Sequence, residues 1–286
     1  MTMFHQRQNA EKGRHLVATS DTAPGITILE EKGFSQIVIY KDRRDVCAVC
    51  FRPADPDLQC DLCSKVAFCS MACEGELEAI HELECESLEE VDRISKKYDV
   101  DVDLLRLVIR ILCTKAAGPL PDVAATFVDV YNMISALDQL SLEWKKSIQN
   151  AATELVPYFP PEICENEKDA SQLFLEVAGR VNENSHALGS VDNPDAVRTI
   201  GMFPTVSLLN HSCRPNCEWS IMMNGQCQVR TVEFVPSGDE FTVAYIDTNL
   251  PRQVRQSILK DTKHFDCRCL RCFEPLEDSD EQQECL

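Results

Sequence analysis

The 286-residue sequence predicts an α+β protein in which a β fold begins, is interrupted, and resumes. Three observations carry this reading. Runs of β-branched and aromatic residues lie near both ends, a cysteine-rich stretch fills residues 47–85, and residues 86–181 show helical periodicity. Residues 1–46 and 182–248 then form two parts of one β domain. Residues 249–274 carry a second cysteine cluster, and the acidic stretch 275–286 is expected to be disordered.

The first β segment, "GITILEEKGFSQIVIY", follows a turn at Pro24-Gly25 and reads as a pair of strands. The next 39 residues hold Cys47, Cys50, Cys60, Cys63, Cys69, Cys73, His81 and Cys85, spaced C-x2-C, C-x2-C, C-x3-C and H-x3-C. Eight soft ligands make two tetrahedral sites, which suits zinc. C-x2-C lets a tight knuckle turn both sulfurs inward, while residues four apart share one helix face, so Cys69/Cys73 and His81/Cys85 read as helical half-sites. So short and polar a segment has little core, and metal binding supplies much of its folding free energy.

In the helical block, Leu104, Leu107, Val108 and Ile111 form an apolar stripe that ends at Gly118-Pro119. Phe127, Val130, Tyr131, Ile134 and Leu137 predict a second helix, and Leu173, Phe174 and Val177 a third, near Ser171 to Val181. These stripes are core rather than chemistry. Strands return in "GQCQVRTVEFV" and "GDEFTVAYID", each opened by a glycine turn. Then "HFDCRCLRCFEP" gives Cys267, Cys269 and Cys272, three ligands of a site that needs four, and Cys213 in "SLLNHSCRPNC" is the obvious fourth.

Composition narrows the function. No window approaches the roughly 18 uncharged apolar residues of a membrane span, and no signal peptide is evident, so a soluble protein is expected. With 28 Lys and Arg against 47 Asp and Glu, the net charge of -19 disfavours nucleic acid and favours basic partners such as lysine-rich tails. Sixteen cysteines without a secretory signal point to the reducing cytoplasm and nucleus, where paired thiols are metal ligands. A monomer is expected.

The eight-ligand stretch resembles the MYND zinc finger. That resemblance implies interleaved sites, Cys47, Cys50, Cys69 and Cys73 on one zinc and Cys60, Cys63, His81 and Cys85 on the other, and a proline-rich peptide as partner. With only Arg52 and Lys65 as basic residues, no DNA binding is expected of it. "NHSCRPNC" followed by "GDEFTVAYID" and C-x-C-x2-C resembles the SET domain of protein-lysine methyltransferases with its post-SET zinc site. A SET domain split by a MYND finger is the arrangement of the SMYD family, and the likeness covers almost the whole chain. The helical-repeat domain that many family members carry after the post-SET cysteines has no counterpart in this sequence, which reads as a short form.

The resemblance implies a SET-type β fold with a pseudoknot, three structural zinc ions, and methyl transfer from S-adenosylmethionine to a lysine of a histone or other protein. Tyr245 corresponds to the catalytic tyrosine. Lys12, Gly13, Arg14, Asn182, Asn210, His211 and Phe265 correspond to cofactor-binding positions, with Phe265 stacking on the adenine. One departure stands out: His15 occupies the place of the second glycine of the family's first motif, where it crowds the cofactor or redirects the chain. The reading that competes with an enzyme is a catalytically weak scaffold that binds partners through its finger.

Overall fold

The computed structural model describes residues 2–163, 167–190, 193–222 and 225–274, so the acidic stretch 275–286, with Cys285, and also Cys164, lie outside the described residues. In chain order the elements are β1 (Phe4–Asn9), β2 (Gly13–Ala18), β3 (Thr27–Glu31), β4 (Ser35–Val38), α1 (Met71–Tyr98), α2 (Val102–Ala117), α3 (Phe127–Tyr131), α4 (Leu142–Leu155) and α5 (Glu167–Asn184). They continue as β5 (His186–Ser190), β6 (Asn193–Met202), β7 (Asn210–His211), β8 (Cys217–Ile221), β9 (Cys227–Thr231), β10 (Thr242–Val243), α6 (Arg252–Lys263) and α7 (Leu270–Phe273). The chain divides into two compact units, one of 1–30, 205–220 and 228–286, the other of 31–204 and 221–227. Among the described residues no helix is long and apolar enough to cross a membrane.

In the larger unit α1 begins where the Ser70 hydroxyl accepts the Cys73 amide at 3.3 Å. It ends at Asp99, whose left-handed φ of 52° closes the last turn. One face of α1, with Leu77, Ile80, Leu88, Val91 and Ile94, is buried together with the apolar face of α2 and with Ile148, Leu155, Phe174 and Val177 of α4 and α5. Each such aliphatic side chain contributes roughly 1.5–3 kcal/mol on burial. The sheet of this unit has the order β4-β6-β5, all antiparallel.

The smaller unit holds the hairpin β1-β2, a sheet of order β3-β9-β8, the parallel pair β7-β10, and helices α6 and α7. Leu16, Leu209, Val229, Val235 and Phe241 are fully buried in it. In the hairpin Asn9 accepts the amides of Glu11 and Lys12, and Gly13 takes φ +64°, a conformation that glycine adopts without strain. Gly225 and Gly238, at φ +77° and +88°, open the two later strands as expected.

Four local expectations change. The two strands of "GITILEEKGFSQIVIY" form but do not pair: β3 lies against β9 and β4 against β6. The chain does not turn back at Gly33, because the next residue, Phe34, is buried and its amide bonds to Met202 O at 2.9 Å. The second helix stops after five residues, with Ile134 68% exposed while Met133 and Ala136 turn inward. Carbonyls that a longer helix would use are taken by α5 instead: Arg180 Nε donates to Tyr131 O at 2.6 Å and Asn184 Nδ2 to Ile134 O at 2.7 Å. Cys69 stands just before the N-cap Ser70 and Cys73 in the first turn, so those two do not share one helix face. That helix runs on through His81 and Cys85 to Tyr98, so finger and helical block share a single 28-residue element.

Candidate active site and cysteine clusters

Three groups of four ligand atoms assemble, each with its atoms within 4.8 Å of one another: Cys47, Cys50, Cys69 and Cys73; Cys60, Cys63, His81 and Cys85; and Cys213, Cys267, Cys269 and Cys272. The interleaved grouping expected of the first eight is therefore the one present. Both C-x2-C turns have the same build. Phe51 N bonds to Cys47 O at 3.1 Å and Ser64 N to Cys60 O at 3.0 Å, and Phe51 and Ser64 take left-handed φ of 60° and 54°. Zinc–sulfur bonds of about 2.3 Å in a tetrahedron set the sulfurs about 3.8 Å apart. The observed Cys60–Cys85, Cys69–Cys73 and Cys213–Cys272 separations of 3.7, 3.6 and 3.6 Å fit that size.

Each cluster has a basic neighbour. In the second, His81 Nε2 lies 3.8 Å from Cys63 Sγ, so this nitrogen faces the ligands, while Nδ1 is 3.1 Å from Glu84 Oε1. Arg110 grips both oxygens of Glu84 at 2.7 Å. Burial alone raises the Glu84 carboxyl, but the Arg110 charge and the His81 hydrogen bond pull it down to about 2. A carboxylate behind a ligating imidazole fixes its orientation and tautomer. Arg52 sits beside Cys50 in the first cluster. Arg255, buried on α6, faces Cys213 and Cys272 in the third. In that third cluster a hydrogen bond from Cys267 holds the Cys269 thiol far below its ordinary range, at about 3.

The expected cofactor residues of the smaller unit converge on β7 and β10. The parallel pairing sets Thr242 beside Asn210 and Val243 beside His211. Asn210 Nδ2 donates to Lys12 O at 3.0 Å and to Glu240 Oε1 at 2.8 Å, while Glu240 Oε2 takes Lys12 Nζ at 2.6 Å. Two residues beyond β10, Tyr245 donates its hydroxyl to Leu209 O at 2.6 Å and its amide to His211 Nδ1 at 3.0 Å. The residue is 38% exposed overall, yet burial of the hydroxyl pushes its pKa above the ordinary tyrosine range. The His211 ring lies 5.4 Å from Tyr245 and 6.3 Å from Phe265, which packs on the third cluster.

Gly13 stands at the end of the β1-β2 turn with nothing within 4 Å of where a side chain would project, and half-buried Arg14 follows it on β2. His15 does not project into open space. It is 5% exposed, and its Nδ1 lies 3.1 Å from Gly13 O. With Lys12 and Glu240 it lines a polar cavity of about 590 Å³ that also includes Arg7, Asn216 and Asp239. Asn182 belongs to the larger unit, exposed on the last turn of α5. It donates to Glu183 and lines a cavity of about 540 Å³ beside Asp101, Glu143 and Trp144.

Sequence reasoning missed Glu240, Leu209 and Ser207. The first joins Lys12 and Asn210, 228 and 30 positions away, through its carboxylate, and Leu209 acts through its backbone, which no side-chain pattern reveals. Ser207 buries its hydroxyl without a partner among the described residues, immediately before Leu208, Leu209 and Asn210. A buried, unpartnered hydroxyl and an open glycine turn beside a fixed amide are features of a surface shaped for a polar ligand.

This pairing of a tyrosine strand with an Asn-His strand, carried in a sequence that a cysteine finger interrupts, defines the class. The SET domain family matches residues 13–246, and the chain belongs to it. Within that family it is of the SMYD type. It is 28% identical over 277 residues to the Homo sapiens histone-lysine N-methyltransferase SMYD3, covering 95% of this chain and 61% of that one. It is 26% identical to Mus musculus Smyd1 (93% and 55%) and 26% to Arabidopsis thaliana ASHR1 (92% and 53%), both also described as histone-lysine N-methyltransferases. The chain thus spans between half and two thirds of the length of these relatives. A solved structure of Rubisco LSMT bound to AdoMet overlaps 86% of this chain and 49% of that one at 13% identity and a TM-score of 0.40.

Proposed function

We propose that this chain is a protein-lysine N-methyltransferase that uses S-adenosylmethionine and carries three structural zinc ions, and that its substrates are basic segments of histones or other proteins. S-adenosylmethionine, when bound, supplies an electrophilic methyl group on a sulfonium. The residues of the chain do the positioning. Glu240 holds the Asn210 amide and Lys12 together, so the amide and the carbonyls around it form a fixed polar edge beside the open Gly13 turn.

Tyr245 supports the reading most directly. Its hydroxyl hydrogen is committed to Leu209 O, so the phenolic oxygen offers only lone pairs to an incoming lysine amine. A neutral amine that donates there has its own lone pair aimed away from the oxygen, as in-line attack requires. With its pKa raised, Tyr245 stays protonated and orients the amine rather than deprotonating it. The net charge of -19 draws lysine-rich segments.

All three zincs are structural on this reading, because each has four protein ligands and no open position. On the same reading the finger holds a proline-rich partner, and the paired cysteines suit the reducing cytoplasm and nucleus. Calorimetric titration of the zinc-loaded protein tests the proposal. Binding of S-adenosylmethionine is expected, and an absence of binding favours the scaffold reading. Metal analysis should give three zincs per chain.

A further inference from the structure

The third cysteine cluster and Tyr245 share one side chain. The Tyr245 amide is a donor only, so the ring nitrogen it meets, His211 Nδ1 at 3.0 Å, presents its lone pair. A neutral imidazole then carries its hydrogen on Nε2, and Nε2 faces Cys213 Sγ at 3.3 Å. Nε2 is thereby a donor to the sulfur and not a further metal ligand. Cys213 is the one ligand of its cluster that comes from outside 267–272. It is also two residues from the strand that pairs with β10.

We infer that the His211 side chain is a positioning residue that tethers the backbone of Tyr245 to the Cys213 sulfur, so that the third cluster sets where the Tyr245 hydroxyl stands. The inference rests on the methyltransferase reading for its kinetic consequence, but the tether itself is a structural claim about the chain.

Two supports locate Tyr245, and each constrains a different atom. Leu209 O holds the hydroxyl, and His211 Nδ1 holds the amide. β10 contributes only Thr242 and Val243 to the strand pair, and Ser212 N to Val243 O at 3.0 Å is the last backbone bond before Tyr245. Past that point the strand has no ladder partner among the described residues, and the imidazole takes over the role. Its other nitrogen needs a fixed acceptor, or the ring could turn about its Cβ–Cγ bond. A metal-bound thiolate is such an acceptor, and the rings of Tyr245 and Phe265 at 5.4 and 6.3 Å limit the remaining rotation. The cluster thus has a task beyond joining the chain segments that bear its four cysteines.

The test compares two substitutions in the full zinc-loaded chain. Asn at position 211 places an amide oxygen near the position of Nδ1, so it keeps the bond to the Tyr245 amide and loses the sulfur. Gln places an amide nitrogen near Nε2, so it keeps the sulfur and loses Tyr245. Hydrogen–deuterium exchange at the Tyr245 amide should be slow in the wild type, at least tenfold faster in His211→Gln, and intermediate in His211→Asn. Zinc content should stay at three per chain in both.

In methyl transfer, kcat should fall at least thirtyfold in His211→Gln with the S-adenosylmethionine KM within threefold of wild type, and His211→Asn should recover a substantial part. Equal amide exchange in all three proteins overturns the tether. So does a loss carried entirely by the cofactor KM, which would assign His211 to cofactor contact alone. If the wild type transfers no methyl group, the methyltransferase reading falls, and amide exchange still decides the tether. Should His211→Gln fail to fold, ¹⁵N shifts of His211 in the wild type decide it: Nδ1 unprotonated and Nε2 protonated is expected, and the reverse tautomer contradicts it.

Discussion

Tyr245 donates its phenolic hydrogen to the carbonyl oxygen of Leu209 across 2.6 Å, a bond between a side chain after β10 and the residue immediately before β7. That bond fixes the direction of the hydroxyl without any other side chain. Tyr245→Phe should therefore cost methyl transfer far more than stability. An orienting donor or acceptor of this type accounts for roughly 10²–10³ in kcat. The hydrogen bond contributes only about 1 kcal/mol to folding. Thermal melting beside steady-state kinetics separates the two.

Glu240 is the hub of the polar edge proposed to meet the cofactor, and its charge is what Lys12 recognises. The Lys12 side chain is 47% exposed, so the ion pair alone is worth at most about 1 kcal/mol. The bond to the Asn210 amide is the larger loss, because Asn210 is then held by Lys12 O alone. Glu240→Ala should weaken S-adenosylmethionine binding about tenfold, and Glu240→Gln less, since Gln still accepts from Asn210. Calorimetry on both variants checks the order. Equal affinity across wild type and both variants would remove Glu240 from the site.

The buried Glu84 stands between His81 and Arg110. Glu84→Gln leaves Arg110 buried without its counter-charge and replaces the charged acceptor of the His81 ring by a weaker, neutral one. The expected cost is about 3–5 kcal/mol, with zinc lost from the second cluster before the other two. The pH dependence follows from the lowered carboxyl. Glu84 has its usual value of 4.5 in the unfolded chain and about 2 in the folded one, so its stabilisation is complete above 4.5 and disappears as pH falls toward 2. Acid unfolding of Glu84→Gln should lack that component.

Arg255 offsets the negative charge of a four-thiolate site from within the protein. Arg255→Met keeps the volume and removes the cation. Zinc should leave the third cluster faster under chelator challenge, with the first two clusters unaffected, so about two zincs remain when wild type still holds three. Release at the wild-type rate contradicts the electrostatic role.

The three ligand clusters were legible in the sequence because thiol chemistry is written in side chains and their spacing is local. Cys213 could be joined to Cys267, Cys269 and Cys272 because three ligands demand a fourth. Tyr245, Asn210 and His211 were legible only through resemblance to a family, since nothing local distinguishes them from residues of a strand and a turn. Glu240 and Leu209 were not legible at all: one joins positions 198 residues apart on the chain, the other acts by its backbone. The short α3 shows the same limit, for its end is set by Arg180 and Asn184 of a distant helix rather than by its own stripe. β3 and β4 were correctly read as strands, but their partners depend on Phe34 reaching Met202.

The most direct test of the central claim is transfer of labelled methyl from S-adenosylmethionine to a mixture of histones and basic cell proteins, run with the zinc-loaded wild type and with Tyr245→Phe side by side. The predicted result is label on lysine side chains with the wild type and at least a hundredfold less with the variant. No transfer by the wild type, or equal transfer by the two, contradicts it.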